Sequence, residues 1–595
     1  MILQRTESSK PKPKFINDPE NCVREALEGV CCLNPDVRLL KKSNVLLLKN
    51  IDQQKVAVLC GGGSGHEPAH AGFVLNGMLS GAICGGVFAS PSYKDVFEAI
   101  QACKTEKGIL LVIKNYTGDV LNFELAANIA RSRGIKIATL RVADDIALEK
   151  KQNARAIAGT VVIYKILGAA AASGMDLQKL VALGQSLDQS IYTLGISLSA
   201  CALPGSPTMF QMNFDEMELG MGIHGEKGKE RMKLLPADKV AALLIQHLVE
   251  KIKSDRVVLA LNNLGGTTDI ELMILMRAAL RELYARKIKV VRVINGKFMS
   301  SLDMHGISIT LLDLGAHHVD AQEDILKWLD LEVPGNKHFH VSKSNYEEAI
   351  VDFKSEEEKE DSPSFVEQQH SPAAIRFKEI LQILFESLIP KEAYLNSVDA
   401  EVGDGDTGFG VSRSSKTVLA HLKYLPLDDD VPGSLKIMAE LISDSFGGSS
   451  GPLYGFLLVN VSEALPKQKL CQLAPAHWAI AFKQGVDALK DLVHVQVGDR
   501  TMIDALDPAA HAAMDFLKSK QTPEEALEKI VKAAREGADK AKLLVARRGR
   551  SAYLGDRVIG LADPGCELAY LWLSALKNAL FTISTKSTEE NFIIF

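Results

Sequence analysis

Val56-Ala57-Val58-Leu59-Cys60-Gly61-Gly62-Gly63-Ser64-Gly65-His66-Glu67-Pro68-Ala69-His70 is the stretch on which the fold turns. Val56–Cys60 is a short apolar run of the kind that forms a buried strand, and it ends in glycines. Ile109–Tyr116, Ile135–Val142, Val257–Asn262 and Ile288–Ile294 read as further strands. Residues 268–287, TDIELMILMRAALRELYARK, read as a helix between two of them. Strand–helix alternation predicts an α/β architecture with a largely parallel sheet. Ligands of such sheets sit beyond the strand C-termini. KNYTGD (114–119) and NNLGG (262–266) each follow a strand, so both are candidate site walls.

Beyond this half the chain changes character. Residues 355–372, SEEEKEDSPSFVEQQHSP, are acidic, carry prolines and have few aliphatics, as a solvated linker does. After it the pattern is nearly all helical, with segments at 376–389, 435–446, 453–465, 478–493, 524–544 and 566–581. Thr522-Pro523-Glu524-Glu525 supplies a cap, a first-turn proline and a glutamate that reaches back. Long helices joined by short loops imply a bundle or barrel of helices.

The bulk properties narrow the function. A chain of 595 residues is too long for one ordinary core. With 68 basic and 74 acidic residues, net charge −6, nucleic acid and anionic membrane are excluded as main partners. No apolar stretch reaches membrane-spanning length, and MILQRTESSKPKPKF has no signal-peptide core. Nine cysteines without a CxxC pair read as reduced thiols of a cytoplasmic protein.

Four motifs could carry chemistry. The glycine run from Gly61 to Gly65 lets backbone approach a ligand closely, and His66 and His70 follow it. HEPAH matches the zinc pattern H-E-x-x-H, but Pro68 argues against the continuous helix which that pattern needs. In Met217–Glu226, the side chains of Met217, Leu219, Met221 and Ile223 point one way in a strand. Glu218, Gly220, Gly222 and His224 point the other, so His224 stands on a face cleared by glycines with a carboxylate beside it. Such an imidazole can be a base or nucleophile, or a hydrogen-bonded structural histidine. In NSVDAEVGDGDTG, Asn396 and the carboxylates of Asp399, Asp404 and Asp406 crowd together. Like charges that close repel unless a cation sits among them, and oxygen ligands suit Mg²⁺. A plain Gly-Asp-Gly turn is the other reading. Gly447–Gly455 runs into an apolar helix, and a helix start is a ready phosphate site or simply a capped end. There is no Walker lysine motif and no protein-kinase signature.

GGGSGHEPAHAG, KNYTGD and MELGMGIHGE resemble the substrate domain of dihydroxyacetone kinases. VDAEVGDGDTG, GGSSGPLYG, GDRTMIDAL (498–506) and LADPG (561–565) resemble their nucleotide domain, in the order of the single-chain, ATP-dependent form found in animals. The resemblance implies four segments: a dihydroxyacetone-binding domain of two α/β subdomains (1–354), the linker (355–372), an all-α helical-barrel ATP-binding domain (373–583) and a tail (584–595). It implies that His224 holds the substrate carbonyl covalently, which selects dihydroxyacetone and glyceraldehyde over glycerol. Gly63, Ser64, Gly65, His66, Lys114 and Asp119 would surround the substrate, with His66 and Asp119 as acid/base groups. Asp399, Asp404 and Asp406 would hold Mg²⁺ on the ATP phosphates. Asp406, Thr407, Gly408, Phe409, Gly448, Ser449, Ser450, Thr501, Met502, Arg550, Asp563, Pro564 and Gly565 match nucleotide contacts. The resemblance further implies a homodimer, with sites meeting across chains, and a second activity that splits FAD into AMP and cyclic FMN with Mn²⁺ or Co²⁺. The alternative is a non-catalytic binding or regulatory homologue. The sequence departs from the family at Ser551-Ala552, usually in the opposite order, at His305, usually proline, and near Val493, where a glycine is usual.

Overall fold

The strand that opens the glycine run is longer than its apolar part. In the computed structural model, which describes residues 11–148, 154–226, 228–344, 370–519, 521–548 and 550–584, it spans Ala57–Ser64 and is buried throughout. The glycines therefore continue the strand instead of forming a loop after it. They can do so because a register shift between Gly62 and Ser64 bends the strand end against its neighbour.

The chain divides into two compact units, Met1–Phe353 and Lys354–Phe595. The first contains two sheets. Strands β1 (Val37–Leu39), β2 (Val45–Leu48), β3 (Ala57–Ser64), β4 (Gly81–Val87), β5 (Ile109–Lys114) and β6 (Ile137–Val142) form one, in the order β1-β2-β4-β3-β5-β6. Its β4-β3-β5-β6 part is parallel and its β1-β2-β4 edge antiparallel. Strands β7 (Ile191–Ser197), β8 (Glu216–Leu219), β9 (Glu230–Lys233), β10 (Arg256–Asn263), β11 (Lys289–Gly296), β12 (Gly306–Asp313) and β13 (Phe339–Ser342) form the other, in the order β13-β11-β10-β12-β7-β8-β9.

The second sheet corrects the expectation of largely parallel pairing. Only β10 and β11, joined through the helix Asp269–Ala285, run parallel; its other pairings are antiparallel. Residues 297–305 connect β11 to β12 without a helix, and a parallel return needs a longer crossover. The helix Gly159–Ala172 is buried along almost its whole length and packs on both β3 and β7, which joins the two sheets through one core.

The second unit is helical among its described residues. Pro372–Leu388, Val431–Phe446, Ser450–Ala464, Pro475–Val493, Pro523–Ala541 and Pro564–Ser584 correspond to the expected segments, three of which run one to three residues past the helix end. Glu392–Ala400, Thr407–His421 and Ile503–Phe516 are additional helices. Thr407–His421 packs on Val431–Phe446, each following long helix packs on the next, and Pro564–Ser584 packs on Pro372–Leu388, which itself packs on Thr407–His421. The expected linker lies outside the described residues up to position 369; its end, Ser371 and Pro372, caps and opens the first helix. The tail beyond Ser584 also lies outside them. All nine cysteines are free. Among the described residues, no helix is long and apolar enough to cross a membrane.

Candidate active site

Beyond the ends of β3 and β5 the first unit brings its motif residues together. Lys114 ends β5, and Asp119 lies in the first turn of the helix Thr117–Ser132. Both are buried, with Lys114 Nζ 3.8 Å from Asp119 Oδ2. A Cβ at Gly62 would lie 2.6 Å from Lys114 Nζ and 3.0 Å from Asp119 Oδ2, so only glycine lets this pair approach the strand. Ser90 donates its hydroxyl to the other oxygen, Asp119 Oδ1. Lys114 Nζ has no hydrogen-bond partner, an unusual condition for a buried ammonium.

Both histidines are held in one tautomer. His66 is fully buried, and its Nδ1 lies 2.8 Å from the carbonyl of Ser300. A carbonyl only accepts, so Nδ1 carries the proton and Nε2 keeps a lone pair, which meets no partner. Burial, then the charges of Lys114 and His224, pushes His66 well below the ordinary histidine range and keeps it neutral. His224 Nδ1 lies 2.8 Å from Glu226 Oε1, and its backbone N–H donates to Glu226 Oε2 at 3.0 Å. Burial opposes ionisation of Glu226, but the hydrogen bond and charge of His224 outweigh it and hold the carboxyl at about 2. As an ionised carboxylate it also only accepts. In the neutral ring of His224, therefore, Nδ1 donates and Nε2 carries the lone pair.

The carboxylate beside His224 is thus Glu226, a correction to the expectation of Glu218. The alternation stops short: β8 ends at Leu219, although Met217, Leu219, Met221 and Ile223 are all buried as the pattern requires. Glu218 instead binds Arg231 Nη2 at 2.7 Å and the Gly228 N–H at 2.7 Å. A Cβ at Gly222 would fall 1.9 Å from Glu226 Oε2 and 2.6 Å from Arg155 Nη1, so this glycine clears space for both. Arg155 is fixed in turn by Asp145 Oδ2 (Nε, 2.7 Å) and the Gly220 carbonyl (2.6 Å). The i+2 spacing in His224-Gly225-Glu226 was the available signal; Ser300, 234 positions from His66, had none.

HEPAH does not form a zinc site. His66 is turned to Ser300, His70 packs against Tyr164, and the one-turn helix Ala71–Phe73 begins only after both. NNLGG supports the site from behind: the Leu264 carbonyl accepts from Ser301, next to Ser300, and Leu302 donates to the Gly65 carbonyl.

In the second unit, Asp399, Asp404 and Asp406 can each bring an oxygen within 4.8 Å of the others. Asp399 is buried at the end of the helix Glu392–Ala400. Its Oδ2 accepts from Asp406 N (2.9 Å), Thr407 N (3.1 Å) and Thr407 Oγ1 (3.0 Å), which fixes the loop that presents the exposed Asp404 and Asp406. Gly408 and Phe409 continue into the helix Thr407–His421, and the Phe409 N–H donates to Asn396. Arg413 of that helix donates to the Phe446 carbonyl at 2.7 Å, bringing the acidic loop to Gly447, Gly448, Ser449 and Ser450, where the next helix starts. Tyr394 donates to Glu567 at 3.1 Å, which ties the same loop to the helix after Asp563-Pro564-Gly565. Thr501 and Met502 meet that turn as well: Cys566 Sγ donates to the Thr501 carbonyl at 2.9 Å, and a Cβ on Gly565 would lie 3.3 Å from Met502. Burial raises Asp563 above the usual carboxylate range. The side chain of Arg550 and all of Gly549 lie outside the described residues. Sequence reasoning missed Arg500, buried with φ +60, whose Nη2 donates to the Val558 and Leu561 carbonyls and pins the 558–561 loop to the Thr501 turn.

A Dak1 domain matches residues 28–333 and a DAK2 domain residues 401–578. The chain belongs to the single-chain dihydroxyacetone kinase family. It is 37% identical to the triokinase/FMN cyclase of Rattus norvegicus, over 96% of this chain and 99% of that protein. It is 33% identical to the dihydroxyacetone kinase of Komagataella pastoris, over 95% and 98%. Among solved structures, the dihydroxyacetone kinase of C. freundii in complex with AMP-PNP and Mg²⁺ is 31% identical and covers 95% of this chain and 99% of its own, with a TM-score of 0.61.

Proposed function

We propose that the protein transfers a phosphoryl group from ATP to dihydroxyacetone or glyceraldehyde, with the substrate bonded to His224. The observation that carries this reading is the pair of imidazoles with Nδ1 occupied, beside a buried Lys114 that pairs with Asp119 but has no hydrogen-bond partner. His224 Nε2 attacks the carbonyl carbon, a C–N bond forms, and the carbonyl π electrons move to oxygen. Lys114 donates to that oxygen, and Glu226 stabilises the positive charge on the ring. His66 Nε2 and Asp119 Oδ2 are the groups able to take the proton of the hydroxyl that accepts phosphate. Transfer itself needs positioning and charge neutralisation.

In the helical unit, oxygen donors of Asp399, Asp404 and Asp406 suit Mg²⁺, which neutralises the ATP phosphates when bound. Thr407, Gly408 and Phe409, the Gly448–Ser450 helix start, Thr501–Met502 and the Asp563–Gly565 turn would line the nucleotide, and Arg550 would add positive charge. The domain limits 1–354 and 373–583, the antiparallel helical barrel, the homodimer, and FAD cleavage with Mn²⁺ or Co²⁺ belong to the same reading. The barrel is supported by the packing order of the long helices, in which the last lies on the first. For the second activity, the rat relative is a triokinase/FMN cyclase.

ATP consumption with Mg²⁺ and dihydroxyacetone, glyceraldehyde or glycerol tests the reading. Turnover of the two carbonyl substrates alone is expected; equal turnover of glycerol rejects a carbonyl-dependent histidine. AMP and cyclic FMN released from FAD with Mn²⁺ tests the second activity, and sedimentation tests the dimer.

A further inference from the structure

Phe88 adopts φ +57, a left-handed conformation that is a true outlier for so bulky a residue. Glycine would hold this backbone without strain. The neighbouring strand is nevertheless shaped around the phenylalanine. A Cβ on Gly63 would fall 2.9 Å from the Phe88 carbonyl carbon, and one on Gly65 would fall 2.7 Å from its ring. The Phe88 N–H donates to the Ser64 carbonyl at 2.9 Å and anchors the arrangement. The ring stacks on His66, with centres 5.2 Å apart and planes at 17°. It also meets His224 edge-on at 5.3 Å, while His66 and His224 stand 4.8 Å apart. A strained residue, accommodated by two glycines and touching both chemistry-bearing rings, points to function more than to folding.

We propose that Phe88 is a specificity-determining residue: its ring bounds the pocket beside His66 and His224 and limits how far a substrate extends from the carbonyl bonded to His224. This rests on the kinase reading above. With His224 Nε2 as the attachment point, a substituent on the His66 side of the carbonyl carbon runs into the Phe88 ring. A substrate one hydroxymethylene group longer than dihydroxyacetone would have to extend past that ring.

The test compares kcat/KM for erythrulose, the four-carbon homologue, with that for dihydroxyacetone in wild type, Phe88→Gly and Phe88→Leu. In Phe88→Gly the erythrulose-to-dihydroxyacetone ratio is expected to rise roughly tenfold or more, the scale of one extra carbon against a pocket wall. Phe88→Leu, which keeps most of the apolar volume and so guards against loss of folding, is expected to move the same way by less. A ratio that stays at the wild-type value in the variants that retain turnover, with both substrates falling equally, assigns Phe88 a packing role and overturns the proposal. Absence of dihydroxyacetone turnover in the wild type would instead reject the kinase reading.

Discussion

The α/β unit and the helical unit build their sites in opposite ways. In the first, His66, Lys114 and Asp119 are buried, and strand ends, a helix start and the space left by Gly62 hold them in place. Their hydrogen bonds to Ser300 and Ser90 fix orientation, while His66 Nε2 and Lys114 Nζ are left over for a ligand. In the second, of the three clustered aspartates only Asp399 is buried, and it spends an oxygen on the backbone of its own loop. Asp404 and Asp406 face solvent, where water screens their repulsion. A neutral triose offers little charge to bind, so its site must be preorganised. A nucleotide with its cation brings charge, so its site can be an exposed loop.

Substitutions can break or sharpen this contrast. The largest effect is expected for His224→Ala, with kcat/KM for dihydroxyacetone falling on the order of a thousandfold and the covalent adduct lost from intact-protein mass spectra. Asp404→Ala is expected to lower both ATP-dependent and FAD-dependent turnover by about a hundredfold. Because the side chain is exposed, its unfolding free energy is expected to change by only about 0.5 kcal/mol. Undiminished FAD cleavage in this variant would sink a shared metal site, and a large stability loss would break the contrast itself. Gly62→Ala is expected to behave the other way, losing roughly 2 kcal/mol in urea unfolding as Lys114 and Asp119 are displaced.

Smaller effects follow from Glu226 and His494. Glu226 is held at about 2 against an ordinary 4.5, so its folded value is the lower one. The stabilisation is complete above pH 4.5 and is lost as pH falls toward 2. The side chain is 37% exposed, so solvent screening leaves about 1 kcal/mol of it. Acid unfolding of Glu226→Gln compared with wild type reads this component, which the variant lacks. In the helical unit, His494 ends the helix Pro475–Val493 at φ +50, in the left-handed position that glycine usually takes. His494→Gly is expected to raise stability by about 1 kcal/mol in urea unfolding without touching either site.

Much of this was legible from local pattern. The apolar runs named five strands, and the helical half followed from periodicity and from caps such as Thr522, whose hydroxyl does accept from the Glu525 N–H. The helices flanking the acidic motif were missed because Asp399, Gly403, Asp404, Gly405 and Asp406 carry turn chemistry that hides the turns on either side. The carboxylate on His224 was misassigned because period-two reasoning ran past Leu219, where the strand stops.

The sequence by itself determined which groups were available: two histidines near glycines, a lysine and an aspartate around a strand end, and three aspartates in one loop. Tertiary structure decided the chemical state of the buried ones. The Ser300 carbonyl comes from the connection between β11 and β12 and sets the His66 proton, and Phe88 takes its strained place because Gly63 at the end of β3 and Gly65 just after it leave room for it. Tautomer, burial and enclosure depend on contacts between residues distant along the chain, and no local pattern in the sequence encodes those contacts.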